Sequence, residues 1–181
     1  MDDRTVAQAR KFLGQLGVGT VPHPGGTLLA HLDRVRERLA VWGARPALRL
    51  AGLCHAAYGT DGFPSALLPL ERRPELTTVI GTEAEAIVYF YASCDRKATY
   101  PTLTDHNSPF RDRFTHGTLR PAPGLLRDFA ELTAANELDL ARRDPAFRAT
   151  YGLDLLALFT RWRALLSEPA RQDCLEVLAD A

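Results

Sequence analysis

The spacing of apolar residues is the feature of this sequence that most limits its fold. Apolar positions recur mostly at steps of three and four residues, and strict alternation is rare. A chain of 181 residues is long enough for one compact domain with its own core. The sequence therefore predicts a single all-α helical bundle over residues 1–181. The predicted helices cover about 4–16, 27–41, 47–58, 82–96, 124–141, 152–166 and 169–179.

Turn and cap residues set the ends of these helices. Gly43 is placed to cap the second helix at its C-terminus. Thr82 and Glu85 have the spacing of a capping box and mark the start of the fourth helix. The proline-rich stretch 61–74 is expected to be mostly loop, and 98–123 is expected to be a long, structured, proline-rich loop.

Charge and composition exclude several classes of protein. The 22 Lys and Arg residues balance the 22 Asp and Glu residues, so the formal net charge is zero. General nucleic-acid binders and polybasic membrane clamps need excess positive charge to neutralise phosphates, so neither is expected. No apolar run approaches the roughly 18 residues of a membrane span, and no leader sequence is visible at the N-terminus. Three cysteines without a CxxC spacing predict neither disulfides nor a cysteine zinc site, and we expect a cytoplasmic protein.

Polar side chains on the apolar stripes are the candidates for a functional site. His31 shares the inward stripe of the second helix, and His55 shares that of the third. Asp95 falls on the inward stripe of the fourth helix, near its predicted end. Three helices are thus each predicted to direct one metal-ligand type of side chain into the interior.

The chemistry of these three residues favours a metal site. A buried carboxylate needs a cation, a metal or several hydrogen-bond donors, because burying an unpaired charge is costly. Two histidines and one carboxylate are the ligand types of the facial metal site, which leaves positions for water and substrate. The sequence predicts that His31, His55 and Asp95 hold one divalent metal, with manganese or iron favoured.

The stretch from about 25 to 96 carries a resemblance to a known family. Its segments are GGTLLAHLDRV with His31, LRLAGLCHAAYGT with His55, and VIGTEAEAIVYFYASCDR with Asp95. The pattern resembles the HD-domain superfamily of helical metalloproteins, in which a His, a His-Asp pair and a later Asp bind metal. The branch it most resembles is the (p)ppGpp hydrolase type. The resemblance implies an HD-like bundle that hydrolyses a small phosphorylated, and therefore anionic, substrate.

Several further residues are candidates for contacts within such a site. Tyr58 lies on the His55 stripe and is a candidate catalytic hydrogen-bond donor, and Arg96 is a second catalytic candidate. His106, in the long loop, is a reserve metal ligand. The candidate substrate contacts are His23, Arg96, Lys97, Asn136 and Glu137.

The departures from the HD pattern leave other functions open. Ala56 stands where the pattern has the Asp of the His-Asp pair, and Tyr58-Gly59 replaces an acidic pair. The ligand set also permits a mononuclear non-haem iron oxygenase, a chemistry known in the HD superfamily. The loss of the Asp at Ala56 permits a third reading, in which the chain is a non-catalytic binding or scaffold protein derived from an HD enzyme.

Overall fold

The computed structural model describes residues 3–105 and 109–179. Contacts between Cα atoms divide the chain into two units, residues 1–92 and residues 93–181. Each unit is described by itself below. The predicted single domain over 1–181 stays a prediction.

The first unit consists of five helices and a small hairpin among its described residues. A single 3₁₀ turn, Leu70–Arg72, precedes its fourth helix. The two strands of the hairpin are antiparallel, with Pro22 opposite Thr27 and His23 opposite Gly26. In chain order the elements are α1 Asp3–Gln15, β1 Pro22–His23, β2 Gly26–Thr27, α2 Leu28–Val41, α3 Pro46–Cys54, α4 Arg73–Ile80 and α5 Thr82–Ala92.

The second unit begins with short elements and continues with three long helices. A 3₁₀ turn, Tyr100–Thr102, follows the first short helix. The two strands pair antiparallel, with Phe110 opposite Leu119. In chain order the elements are α6 Arg96–Thr99, β3 Phe110–Arg111, β4 Thr118–Leu119, α7 Pro123–Arg143, α8 Pro145–Arg161 and α9 Glu168–Leu178.

The predicted mainly helical fold is confirmed. Helices make up most of the described chain, and the strands form only two small two-stranded sheets. None of the helices within 3–105 and 109–179 is both long enough and apolar enough to cross a bilayer. Gly43 adopts φ 78° after α2 and donates its N–H to the carbonyl of Ala40, so the predicted C-terminal cap is also confirmed.

Helix ends differ from the sequence prediction at several places. The third helix ends at Cys54 instead of 58, and a turn then leads to Gly59, whose φ of 68° cannot continue a helix. The helix predicted over 82–96 is α5, and it ends at Ala92 instead of 96. The helix at Arg73–Ile80 differs from the loop that the prolines of 61–74 predict, because proline is well tolerated in the first helical turn. The helix predicted over 152–166 is α8, which begins at Pro145, seven residues earlier, with Asp144 as its N-terminal cap.

The close approach of α2 and α3 positions the candidate site. An ideal Cβ added at Gly52 would lie 2.6 Å from Leu39 Cδ1 and 3.5 Å from Val35 Cγ1. The missing side chain at Gly52 therefore lets α3 lie close against α2. Val35 and Leu39 are fully buried in this contact, as the spacing of the α2 stripe predicts.

The second unit has an aromatic core around α7. Phe129 contacts Phe110 edge-on at 5.7 Å between ring centroids, and Trp162 lies 6.1 Å away. Tyr100 packs against Trp162 at 4.9 Å. Trp162 and Phe159 are both buried in this core. Such edge-to-face pairs add a modest amount of stability beyond the area that they bury.

Candidate functional site

Three histidines of the first unit lie together. The rings of His31 and His55 are 5.3 Å apart between centroids in an edge-on arrangement, and His23 stacks on His31 at 4.1 Å. His31 is 1% exposed and His55 is 3% exposed. On its other side, His55 meets the Tyr91 ring edge-on at 5.5 Å. We call His23, His31 and His55 the histidine cluster.

The hairpin before α2 holds His23 against the His31 ring. Gly25 and Gly26 have φ values of 77° and 132°, which allow the tight reversal between β1 and β2. Arg34, in the second turn of α2, donates hydrogen bonds to the carbonyl oxygens of Pro24 at 3.1 Å and Gly25 at 3.4 Å. The Thr27 side chain accepts from the Ala30 N–H and caps α2. The turn is therefore fixed to the same helix that carries His31.

The tautomer of His55 follows from its backbone partner. His55 Nδ1 lies 2.8 Å from the carbonyl oxygen of Gly52. A carbonyl oxygen can only accept, so Nδ1 donates the proton and the lone pair of neutral His55 is on Nε2. Metal-binding histidines usually have this arrangement, in which one nitrogen donates to a carbonyl and the other binds the metal.

A second group of polar side chains in the first unit surrounds Glu85. The Tyr58 hydroxyl donates to Glu85 Oε1 at 2.8 Å. Arg73 donates from Nε to Oε1 at 2.7 Å and from Nη2 to Oε2 at 3.0 Å, which makes a bidentate pair. The Arg73 guanidinium also lies 3.8 Å from the centre of the Tyr89 ring. We call Tyr58, Arg73 and Glu85 the Glu85 network.

The contacts of Glu85 and Arg73 differ from what the sequence predicts. The predicted capping box gives Glu85 a role at the start of α5, but its carboxylate instead binds Tyr58 and Arg73, and Glu85 is only 4% exposed. Glu85, Val88 and Ala92 are spaced three and four residues apart on α5, which could have indicated that Glu85 lies inward. The same contacts give Arg73 a role that the sequence did not suggest.

Tyr58 stays protonated in this environment. Burial raises the pKa of Tyr58, and the hydrogen bond to Glu85 raises it further. Because the folded state holds this proton more tightly than the unfolded state, the stability it contributes is full below about pH 10. That contribution is lost as the pH rises above this value. Tyr58 therefore acts as a hydrogen-bond donor to Glu85.

Asp95 lies beyond the end of α5 and caps α6. Its Oδ1 accepts from the Ala98 N–H at 3.0 Å, and its Oδ2 is 3.8 Å from Arg111 Nε. The Asp95 side chain is 32% exposed. The helical stripe that placed Asp95 inward ends three residues earlier, because the chain leaves the helix after Ala92. The ligand role of Asp95 stays a prediction.

Three of the candidate substrate contacts in the second unit form hydrogen bonds with one another. Arg96 Nη1 donates to Glu137 Oε1 at 3.0 Å, and the Asn136 amide donates to the same oxygen at 3.3 Å. Glu137 and Asn136 are 5% and 8% exposed, so both side chains are buried. Lys97 is exposed. The reserve ligand His106 lies outside the described residues.

The three cysteines give a prediction that follows from burial alone. All three are buried and none is in a disulfide, and desolvation raises the pKa of Cys54 to about 12. At pH 8 only about one Cys54 in 10⁴ is then a thiolate, which is the reactive form. We expect the native protein to react with a thiol reagent at least about 100 times more slowly than the urea-unfolded protein. Reaction of Cys54 at the rate of a free thiol would contradict this burial.

The spacing of two histidines in the cluster fits a shared metal ion, but the cluster as a whole does not. Two imidazoles that bind one metal at roughly 2.1 Å have ring centroids about 4.5–5.5 Å apart. The 5.3 Å between His31 and His55 is within this range, and the 4.1 Å between His23 and His31 is just below it. Among the residues that the structure describes, no three His, Cys, Asp or Glu side chains converge on one metal position. The fit therefore rests on the His31–His55 pair.

The fold and site define a mainly helical protein with a buried histidine cluster in its first unit. Residues 12–96 match the family profile described as a domain of unknown function (DUF6817), which is slightly less than half of the chain. This segment includes the complete histidine cluster and the complete Glu85 network. No curated protein matches the chain. No solved structure matches it either.

Proposed function

We propose that this chain is an HD-like metal-dependent hydrolase that acts on a small phosphorylated molecule. The observation that carries the proposal is the buried pair of His31 and His55, with rings 5.3 Å apart. The hydrogen bond of His55 Nδ1 to Gly52 directs the lone pair of the ring to Nε2. A divalent metal bound to this pair would supply Lewis acidity to water and to phosphate oxygens.

The surrounding residues would orient the pair and limit the access of water. His55 is held between the Gly52 carbonyl and the Tyr91 ring, so its imidazole has little freedom to rotate. A ligand that is already oriented loses less entropy when it binds. Hydrogen bonds to Glu85 hold the side chains of Tyr58 and Arg73 in place. Tyr58 follows His55 by three residues along the chain. We propose that these contacts position the histidines, and that Tyr58 does not exchange a proton with substrate.

The first test is metal binding. Purified protein supplemented with manganese, iron, cobalt, nickel or zinc is expected to retain about one metal ion per chain by elemental analysis. His31→Ala and His55→Ala are each expected to lower this stoichiometry at least about tenfold, because each removes one nitrogen of a two-histidine pair. His116→Asn is the matched control, since His116 is an exposed histidine with φ 58° and asparagine tolerates that conformation. Absence of bound metal in the supplemented wild-type protein would refute the proposal.

The second test is the reaction. Metal-loaded protein incubated with nucleotides and sugar phosphates is expected to release phosphate or pyrophosphate without oxygen. If iron-loaded protein instead consumes oxygen with a substrate, the chain is an oxygenase and the hydrolase proposal is wrong. The three cysteines form no disulfide, which fits the reducing cytoplasm, where we propose that the protein works.

A non-catalytic binding or scaffold role is the second candidate. Asp95 uses its carboxylate as a helix cap, and Ala56 has no side chain that can bridge two metals. If His31→Ala and His55→Ala leave the thermal midpoint unchanged with and without added metal, and phosphate release is absent, this candidate replaces the hydrolase.

A further inference from the structure

We infer that the second unit holds a binding site for a small zwitterion, a molecule that carries both a carboxylate and an ammonium group. The site is an open pocket of about 640 Å³, formed by the end of α7, the start of α8 and the end of α9. Pockets of about 300–1,000 Å³ hold small molecules in other proteins. The proposed hydrolase activity rests on His31 and His55, so this inference is independent of it.

The corner between α7 and α8 shapes one side of this pocket. A single residue, Asp144, connects the two helices. Its carboxylate accepts hydrogen bonds from the N–H groups of Ala146 and Phe147, both at 3.0 Å, and so caps α8. Asp144 precedes Arg148 by four residues, the spacing at which oppositely charged side chains often pair on a helix. The cap uses this carboxylate, so it does not neutralise Arg148.

Arg148 contributes a positive charge to the pocket. The side chain is half-buried, and its Nε is closed off from water with no hydrogen-bond partner in the described part of the chain. Within residues 3–105 and 109–179, no carboxylate forms an ion pair with this guanidinium. A guanidinium is a planar fork of N–H donors that matches the two oxygens of a carboxylate. Arg148 is therefore able to bind the carboxylate of a ligand at the Nη end of the fork.

Glu176, on α9, contributes a negative charge to the same pocket. Its side chain is exposed, and it forms no ion pair with any residue that the structure describes, Arg148 included. A third charged residue of the pocket, Arg142, is already neutralised, because its Nη2 lies 2.7 Å from Asp173 Oδ1. One cation and one anion thus remain available in a single pocket. A ligand with both charges can satisfy the two of them, whereas Glu176 would repel a plain anion such as phosphate.

The remaining walls of the pocket favour an apolar ligand body. Pro145, Ala149 and Val177 line it with small side chains, so they leave room for a branched aliphatic group. An ammonium group, a carboxylate and an aliphatic side chain together describe an apolar amino acid or a short apolar peptide. These two sources differ in the distance between their charges, and the experiment separates them.

The test is calorimetric titration of the full chain with L-leucine and, separately, with L-leucyl-L-leucine. At least one of them is expected to bind with a Kd of about 1 mM or lower, as is typical of a small ligand whose charges are both paired. The C-terminal amide of that ligand lacks the carboxylate, and its N-acetyl derivative lacks the ammonium group. Each derivative is expected to bind at least about tenfold more weakly. Absence of binding by both leucine and the dipeptide would refute the inference.

Variants of the two charged residues locate the binding to this pocket. Arg148→Gln and Glu176→Gln are each expected to weaken the affinity at least about tenfold, because each removes one charged partner. Arg161→Gln is the matched control, since Arg161 is an exposed arginine of the same helix as Arg148, and it is expected to match the wild type. Glu176 is exposed, so Glu176→Gln tests the pocket even if circular dichroism shows that Arg148→Gln does not fold. Wild-type affinity in folded Glu176→Gln, or equal affinity for a ligand and its amide, would show that the inference is wrong.

Discussion

Glu85→Ala is expected to lower the free energy of unfolding by about 3 kcal/mol. The substitution removes the acceptor of the buried Tyr58 hydroxyl and both oxygens that bind Arg73. Breaking a buried ion pair costs about 3–5 kcal/mol and an unsatisfied buried donor costs about 1–3 kcal/mol. The Arg73 side chain is 35% exposed, so water compensates for part of this loss. Urea denaturation followed by circular dichroism measures the change.

A control on the same helix isolates the effect of burial. Glu83 is also in the first turn of α5 and pairs with Arg45, but its side chain is 70% exposed. Glu83→Ala is therefore expected to change the free energy of unfolding by less than about 0.5 kcal/mol. Tyr58→Phe is expected to cost about 1 kcal/mol, because it removes one hydrogen bond and keeps the ring. Equal effects of Glu85→Ala and Glu83→Ala would contradict the network.

Gly59→Ala is expected to lower the free energy of unfolding by a similar amount, about 3 kcal/mol. A Cβ at this position would lie 2.9 Å from the carbonyl oxygen of Pro64 and 3.1 Å from that of Phe63. Both neighbours are backbone atoms of a turn closed by hydrogen bonds between Thr60 and Phe63. Conformational strain at the positive φ costs about 1–2 kcal/mol, and the steric contact adds about 1–3 kcal/mol.

Gly43 provides the matched control for this prediction. Its φ is 78°, but nothing lies within 4 Å of a Cβ added there. Gly43→Ala is therefore expected to cost about 1–2 kcal/mol, from backbone strain alone. The difference between the two variants measures the steric contact at Gly59. If the two substitutions have the same effect in urea denaturation, the close approach of the 60–64 turn to Gly59 is wrong.

Local sequence patterns predicted most of the helices but not all of their ends. Buried stripes of α2 and α3 follow the spacing of three and four residues, because one side of each helix faces the core. Helix ends depend instead on individual capping residues. Asp95 and Asp144 both cap helices, but the spacing of apolar residues contains no information about a side chain that binds a backbone N–H.

The candidate site was also predictable from local sequence patterns only in part. The spacing of apolar residues placed His31 and His55 on buried faces, and the contact between their rings agrees with that. It could not predict that His23 stacks on His31, since the hairpin that holds His23 is irregular and depends on two glycines with positive φ. It also could not predict Glu85 as a partner of Tyr58, because these residues are 27 positions apart and on different elements.

The sequence by itself determined the helical class, the buried positions of His31 and His55, and the neutral overall charge. These properties depend on the order of residue types along the chain, which repeats every few residues and is read locally. Only the tertiary structure decided which polar groups become partners. A carboxylate such as Glu85 can cap a helix, bind an arginine or accept from a tyrosine, and the choice depends on which side chains lie within about 3 Å after folding.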